Sequence, residues 1–430
     1  MSSSFKIFKT DWPRLLALML LLTGLSACSW MGSAPDAGQQ VAKQLAVAAK
    51  GGYELDKEVG LDRQHQVWRD ENLPLDVELL KPASPGQYPL IIYMPGLGED
   101  AAAGKIWREC WAKAGYAVFS YQAQPIAQAL QVIDAERGLA KHESENDEEI
   151  DEDPSASLIG GWFADPVSKP SRTARNSELS YLGHQYFAVD ALKNRLRQLN
   201  WVSQQLKQRR SEEWLLGVDS ARLILAGYDL GAQTVAAAIG EQFDSPLPEF
   251  TEFKPLAAIL LSPSVNLAKG NLGQRFQAIQ LPILVITSQE DNDPYAISSA
   301  LVRTSIWDYA GSANKYLLLL KDLKHRLLAG TDEQSQILKG LNRSKSAVDF
   351  DAEQQVIRKR RRAEQEGFTN DFFPDSGHKA LDSAYKQLAA VNSVSLAFLD
   401  AVVKKDDLAK FWLSEQATSW LGRFATLKLR

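Results

Sequence analysis

Cysteine and histidine are scarce in this chain, and so are several common motifs. Only two cysteines, Cys28 and Cys110, occur among 430 residues. No disulfide framework can therefore hold the fold. Five histidines are present, and none falls at metal-ligand spacing, so neither a metal nor a cofactor is expected. Phosphate-cradling patterns of the GxGxxG and GxxxxGK[ST] kinds are missing. Basic excess is missing too: 48 Lys and Arg stand against 53 Asp and Glu, for a net charge of -5. That balance excludes nucleic acid as an expected partner. No internal repeat is visible, and the apolar run Leu15 to Leu22 is too short to span a bilayer. What remains is ordinary globular composition, 45% hydrophobic and 23% charged.

The N-terminus reads as a targeting segment. Lys6, Lys9 and Arg14 precede the short apolar core, the layout of a secretory signal peptide. Leu25-Ser26-Ala27-Cys28 resembles the lipobox of bacterial lipoproteins. The resemblance implies cleavage after residue 27, acylation of Cys28 and a membrane anchor. Ser29 in place of an aspartate implies the periplasmic face of the outer membrane, within the cell envelope. Residues 28–64 are small and polar and read as a tether. Cys110 would then be alone, as a buried and inert thiol on a helix.

Residues 65–430 read as one α/β domain. Short apolar runs without alternation suit strands of a parallel sheet buried on both faces. They are Pro89–Met94, Gly115–Tyr121, Ala221–Ala226, Leu256–Leu261, Ile283–Thr287 and Tyr316–Leu320, the last of the series. Leu75, Val77 and Leu79 alternate as an earlier strand. Helices are expected at about 101–114, at about 188–210 and in a closing segment within 391–421. The expected class is a mostly parallel, doubly wound sheet flanked by helices. An acidic insertion at about 122–181, centred on Glu143–Asp153, and a charged insertion at about 332–375 interrupt it. Both read as solvated surface.

The chemistry gathers at three strand ends. Gly227-Tyr228-Asp229-Leu230-Gly231 follows one strand and precedes a helix-like stretch. That is the setting of a nucleophile elbow, with Asp229 in the place usually held by serine. Asp291 follows the strand Ile283–Thr287, with Asp293 as the alternative acid, and His325 follows Tyr316–Leu320. Nucleophile, acid and histidine come in that chain order at successive strand ends, where parallel sheets place ligands. The competing reading of Asp229 is a carboxylate that merely caps a helix.

From about Leu75 to Leu421 the chain resembles the α/β-hydrolases. It is most similar to the dienelactone hydrolase and platelet-activating-factor acetylhydrolase branches. The loop Pro95-Gly96-Leu97-Gly98, the elbow, Ala114–Val118 and Ala397–Ala401 carry the likeness. The resemblance implies an oxyanion hole from the backbone N–H groups of Leu97 and Leu230. An aspartate at the elbow implies displacement at saturated carbon, as in haloalkane dehalogenases and epoxide hydrolases, with His325 as base for water. It departs from those relatives in having Leu230 after the nucleophile and no His-Gly-x-Pro loop. Tyr181, Tyr186, Trp162 and Trp201 are placed only by sequence as groups for the leaving atom. Two functions are therefore expected in competition. One is an envelope hydrolase with a small to medium, fairly apolar substrate. The other is a catalytically silent protein of the same fold that binds a ligand or partner.

Overall fold

The computed structural model describes residues 37–54, 59–131, 172–266, 270–330 and 376–430. It is an α/β protein built on one nine-stranded sheet, in the order β1-β2-β4-β3-β5-β6-β7-β8-β9. The strands are β1 (Leu61–Asp70), β2 (Leu73–Pro82), β3 (Tyr88–Met94), β4 (Ala117–Ala123), β5 (Val218–Tyr228), β6 (Ala257–Leu261), β7 (Ile283–Ser288), β8 (Lys315–Leu320) and β9 (Ala425–Leu429). From β4 through β8 all neighbours pair in parallel. β1, β2 and β9 pair antiparallel at the two ends.

The period of two within each strand divides the core between the sheet's faces. Ile224, Ala226 and Tyr228 of β5 point to one apolar cluster, and Leu223 and Leu225 to the other. The first face is covered by α1 (Ala37–Ala49), α2 (Lys105–Lys113) and the long helix α6 (Ser376–Leu399). The second is covered by α4 (Val189–Gln208) and α5 (Leu230–Ala238), through Leu199, Val202 and Val235. A further helix, α3 (Arg172–Tyr186), leads into α4. Leu192, Leu196, Leu199 and Val202 of α4 are all fully buried, as their helical spacing predicts.

Three expectations need correction. Residues 28–64 are not a tether throughout. The helix α1 packs on α6 with Val41 and Ala48 buried, and β1 begins at Leu61. β8 is not the last strand, because β9 pairs with it antiparallel from Tyr316↔Leu429 to Leu320↔Ala425. Cys110 is only half-buried rather than fully enclosed, yet burial pushes its thiol up to about 12. The signal segment, Cys28, Trp162, the core of the acidic insertion and the charged insertion lie outside the described residues.

Candidate active site

The turn after β5 is held in a conformation that few residues adopt. Asp229 has φ 50° and ψ -108°, a region costing about 1–3 kcal/mol for a non-glycine residue. Its surroundings enforce it. A Cβ on Gly227 would meet the Gly231 carbonyl carbon at 2.5 Å, and one on Gly231 would collide with the Met94 carbonyl oxygen. Both glycines are thus required by close approach of backbone to backbone. The Asp229 side chain makes no hydrogen bond to the helix start, so it is not a helix cap. Instead it accepts from Ser264 Oγ at 3.1 Å.

His325 faces it. Its Nε2 lies 3.9 Å from Asp229 Oδ1, while its Nδ1 lies 2.7 Å from Asp291 Oδ1. Asp291 is completely buried and also accepts from Thr287 Oγ1 at 2.7 Å and from Ser262 Oγ at 2.8 Å. Ser262 Oγ lies 2.8 Å from His325 Nδ1 as well. The contact with Asp291 makes Nδ1 the donating ring nitrogen and turns Nε2 toward Asp229. Tyr228 anchors the histidine loop by donating to the His325 carbonyl at 3.0 Å, its ring tilted over the imidazole at 5.3 Å.

Asp229, Asp291 and His325 therefore converge, as their strand-end positions predict. Asp293 does not join them. Its carboxylate accepts from the backbone N–H groups of Tyr295, Ile297 and Ser298 and pairs with Arg303 at 3.3 Å. It shapes the loop, and Asp291 is the acid that meets the histidine. Leu97 and Leu230 pack together above the elbow with Phe187 and Tyr295. Among the described residues, no partner is found for either backbone N–H. Trp201 meets Trp68 edge-on and packs against the second-face core. Tyr181 is exposed, whereas Tyr186 packs against the Leu97 and Leu230 cluster.

Several functional residues escaped the sequence. Arg303 is fully buried and donates to the carbonyls of Asp291, Ser262 and Pro263. Ser262 adopts φ 49°, another strained position at a strand end. Glu99 accepts from Gly96 N–H at 2.9 Å in the loop after β3. The only available signals were Ser262-Pro263-Ser264 after an apolar run and a glutamate beside the Pro-Gly loop.

The electrostatics separate the carboxyls. Burial pushes Asp229 up, against the opposing pull of His325 and Arg303. Burial likewise pushes Glu99 up to about 8; the Gly96 hydrogen bond opposes this and the charge of Asp229 adds to it. For Asp291 burial also works against ionisation. The bond from His325 and the charge of Arg303 outweigh it and hold the carboxyl below its usual range. Paired acids driven in opposite directions are a frequent mark of acid–base sites. Among the described residues, no group of three or more His, Cys, Asp or Glu side chains is placed to hold a metal ion. No protein-family model matches this chain, and no curated protein matches its sequence.

Proposed function

We propose that the chain is an α/β-hydrolase of the cell envelope, anchored by lipid on Cys28, in which Asp229 is the nucleophile. The observation that carries this reading is the imidazole held between two acids, with Nδ1 on Asp291 and Nε2 facing Asp229 across 3.9 Å. The strand order and the antiparallel β2 support the superfamily. The strained elbow supports a reactive position.

In this mechanism a carboxylate oxygen of Asp229 attacks a saturated carbon of the substrate. The new C–O bond forms as the bond to the leaving halide or alkoxide breaks. Water then enters between His325 Nε2 and the ester. Nε2 takes its proton while the hydroxide adds to the Asp229 carboxyl carbon. The Leu97 and Leu230 N–H groups stabilise the oxyanion, a contribution of about 2.7–4 kcal/mol per donor. Collapse expels the product alkoxide, which recovers the proton from His325. The Asp229 carboxyl then gives up its own proton, to the first-step alkoxide when the substrate is an epoxide and to solvent when the leaving group is a halide, restoring the carboxylate. Asp291 keeps the ring oriented.

One observation favours a second reading, a silent binding protein of the same fold. Asp229 is 1% exposed, and Leu230, its neighbour in the chain, is packed into a buried cluster with Leu97, Phe187 and Tyr295. The two are separated by incubating the chain with haloalkane, epoxide and ester panels. For the enzyme, Asp229→Ala is inactive and His325→Gln accumulates an alkyl-enzyme ester visible as a mass increase on the peptide containing residue 229. A silent parent whose Asp229→Ser variant gains esterase activity would establish the second reading. The anchor is tested by metabolic labelling with a fatty acid. Label should enter the chain and vanish in Cys28→Ala, and unlabelled parent would remove the anchor.

A further inference from the structure

Behind the elbow, on the second face, lies a small cavity lined by Tyr121, Gln122, Arg195, Gln198, Leu230 and Thr234, among others. It has room for about one water-sized body. Its walls set these polar side chains beside the apolar Met94, Pro95 and Leu230. Arg195 is 7% exposed and spends three N–H groups on neutral acceptors: Thr234 Oγ1 at 2.9 Å, the Tyr186 carbonyl at 2.6 Å and Gln233 Oε1 at 2.6 Å. Two of its five N–H groups are left over. Among the described residues, no carboxylate lies within ion-pair distance of it. Gln198, one turn along α4 on the same side of the helix, is 8% exposed, and Tyr121 is 4% exposed. Neither side chain has a hydrogen-bond partner among the described residues.

A buried cation without a counter-ion is costly. Here one guanidinium, one carboxamide and one phenol share the same small space. Burial lowers Arg195 to about 9, partly offset by Tyr121 and Asp229, so the group is still cationic at neutral pH. A water would satisfy some of these donors but would supply no charge. We propose that this cavity binds a monatomic anion of the halide class, held by Arg195, Gln198 and Tyr121. The size of the space argues for one atom rather than a carboxylate or phosphate. The site neighbours Leu230 and Gly231 of the elbow, so its occupant adjoins the turn that carries Asp229.

The test is thermal unfolding of the full chain in sodium chloride, sodium bromide and sodium gluconate at one ionic strength. The expected result is a midpoint that rises with halide and saturates, with no such rise in gluconate. Gln198→Leu, which keeps the charge of Arg195, should weaken the halide dependence at least tenfold. Arg195→Met should abolish it. Bromide should also give an anomalous diffraction peak between these side chains in crystals grown with it. Identical midpoints in chloride and gluconate, with no bromide peak, would overturn the proposal in favour of water. A halide effect of equal size in Gln198→Leu and Arg195→Met would overturn it as a general salt effect. Greater stabilisation by acetate than by halide would overturn it in favour of a carboxylate ligand.

Discussion

Glu99 offers the sharpest test of the electrostatics. Its carboxyl is held up at about 8 against 4.5 for the free side chain. One pKa unit corresponds to about 1.36 kcal/mol, so the shift amounts to roughly 4–5 kcal/mol. Partial exposure to water reduces the effective figure to about 3 kcal/mol. The sign follows from proton binding. Between pH 4.5 and 8 the unfolded chain has lost this proton and the native chain keeps it. Stability from this group is therefore full below about 4.5 and is lost as pH rises through 8. Glu99→Gln cannot ionise, and its amide oxygen can still accept from Gly96 N–H. The variant should match the parent near pH 4.5 and exceed it by about 3 kcal/mol near pH 8.5. Urea unfolding at four pH values from 4.5 to 8.5 measures this. Glu241 is also raised, to about 7, but its titration is common to both proteins and cancels in the difference. A stability gap that stays constant across the range would refute the reasoning.

Three further outcomes follow from the site. Gly231→Ala drives a methyl into the Met94 carbonyl and should lower stability by about 2–4 kcal/mol; an unchanged urea midpoint would show that the elbow is looser than drawn. Asp291→Asn should cut turnover by roughly 10³–10⁴, because the imidazole loses its orienting charge, and should also lower the melting temperature, because the buried carboxylate lies 3.5 Å from the buried Arg303. Asp293→Asn should also lower the melting temperature, through the loop it ties to Arg303, but with a much smaller effect on kcat.

Much of the sheet was legible because its parallel strands are buried on both faces and leave long apolar runs, as in Leu223–Ala226. The convergence of Asp229, Asp291 and His325 was legible for a related reason. Each lies within five residues of the end of such a strand, and parallel strands point their ends to one rim. β9 escaped because it is a half-exposed edge strand in which only Ala425 and Leu427 are buried. α1 escaped because its buried contacts come from Val41 and small alanines, whose signal in sequence is weak. Arg195, Arg303, Ser262 and Glu99 are defined by partners distant in the chain, and no local pattern records those pairings. Trp201 was misplaced for the converse reason: its helix was foreseen, but not which side of the sheet it would cover.

The early docking of α1 sets a short leash. Nine peptide steps separate Cys28 from Ala37, and a fully stretched chain of that length reaches only about 30 Å. With acyl groups on Cys28, as proposed, the globular body could not wander into the open periplasm. Whatever it meets would have to come to the bilayer surface or already reside there.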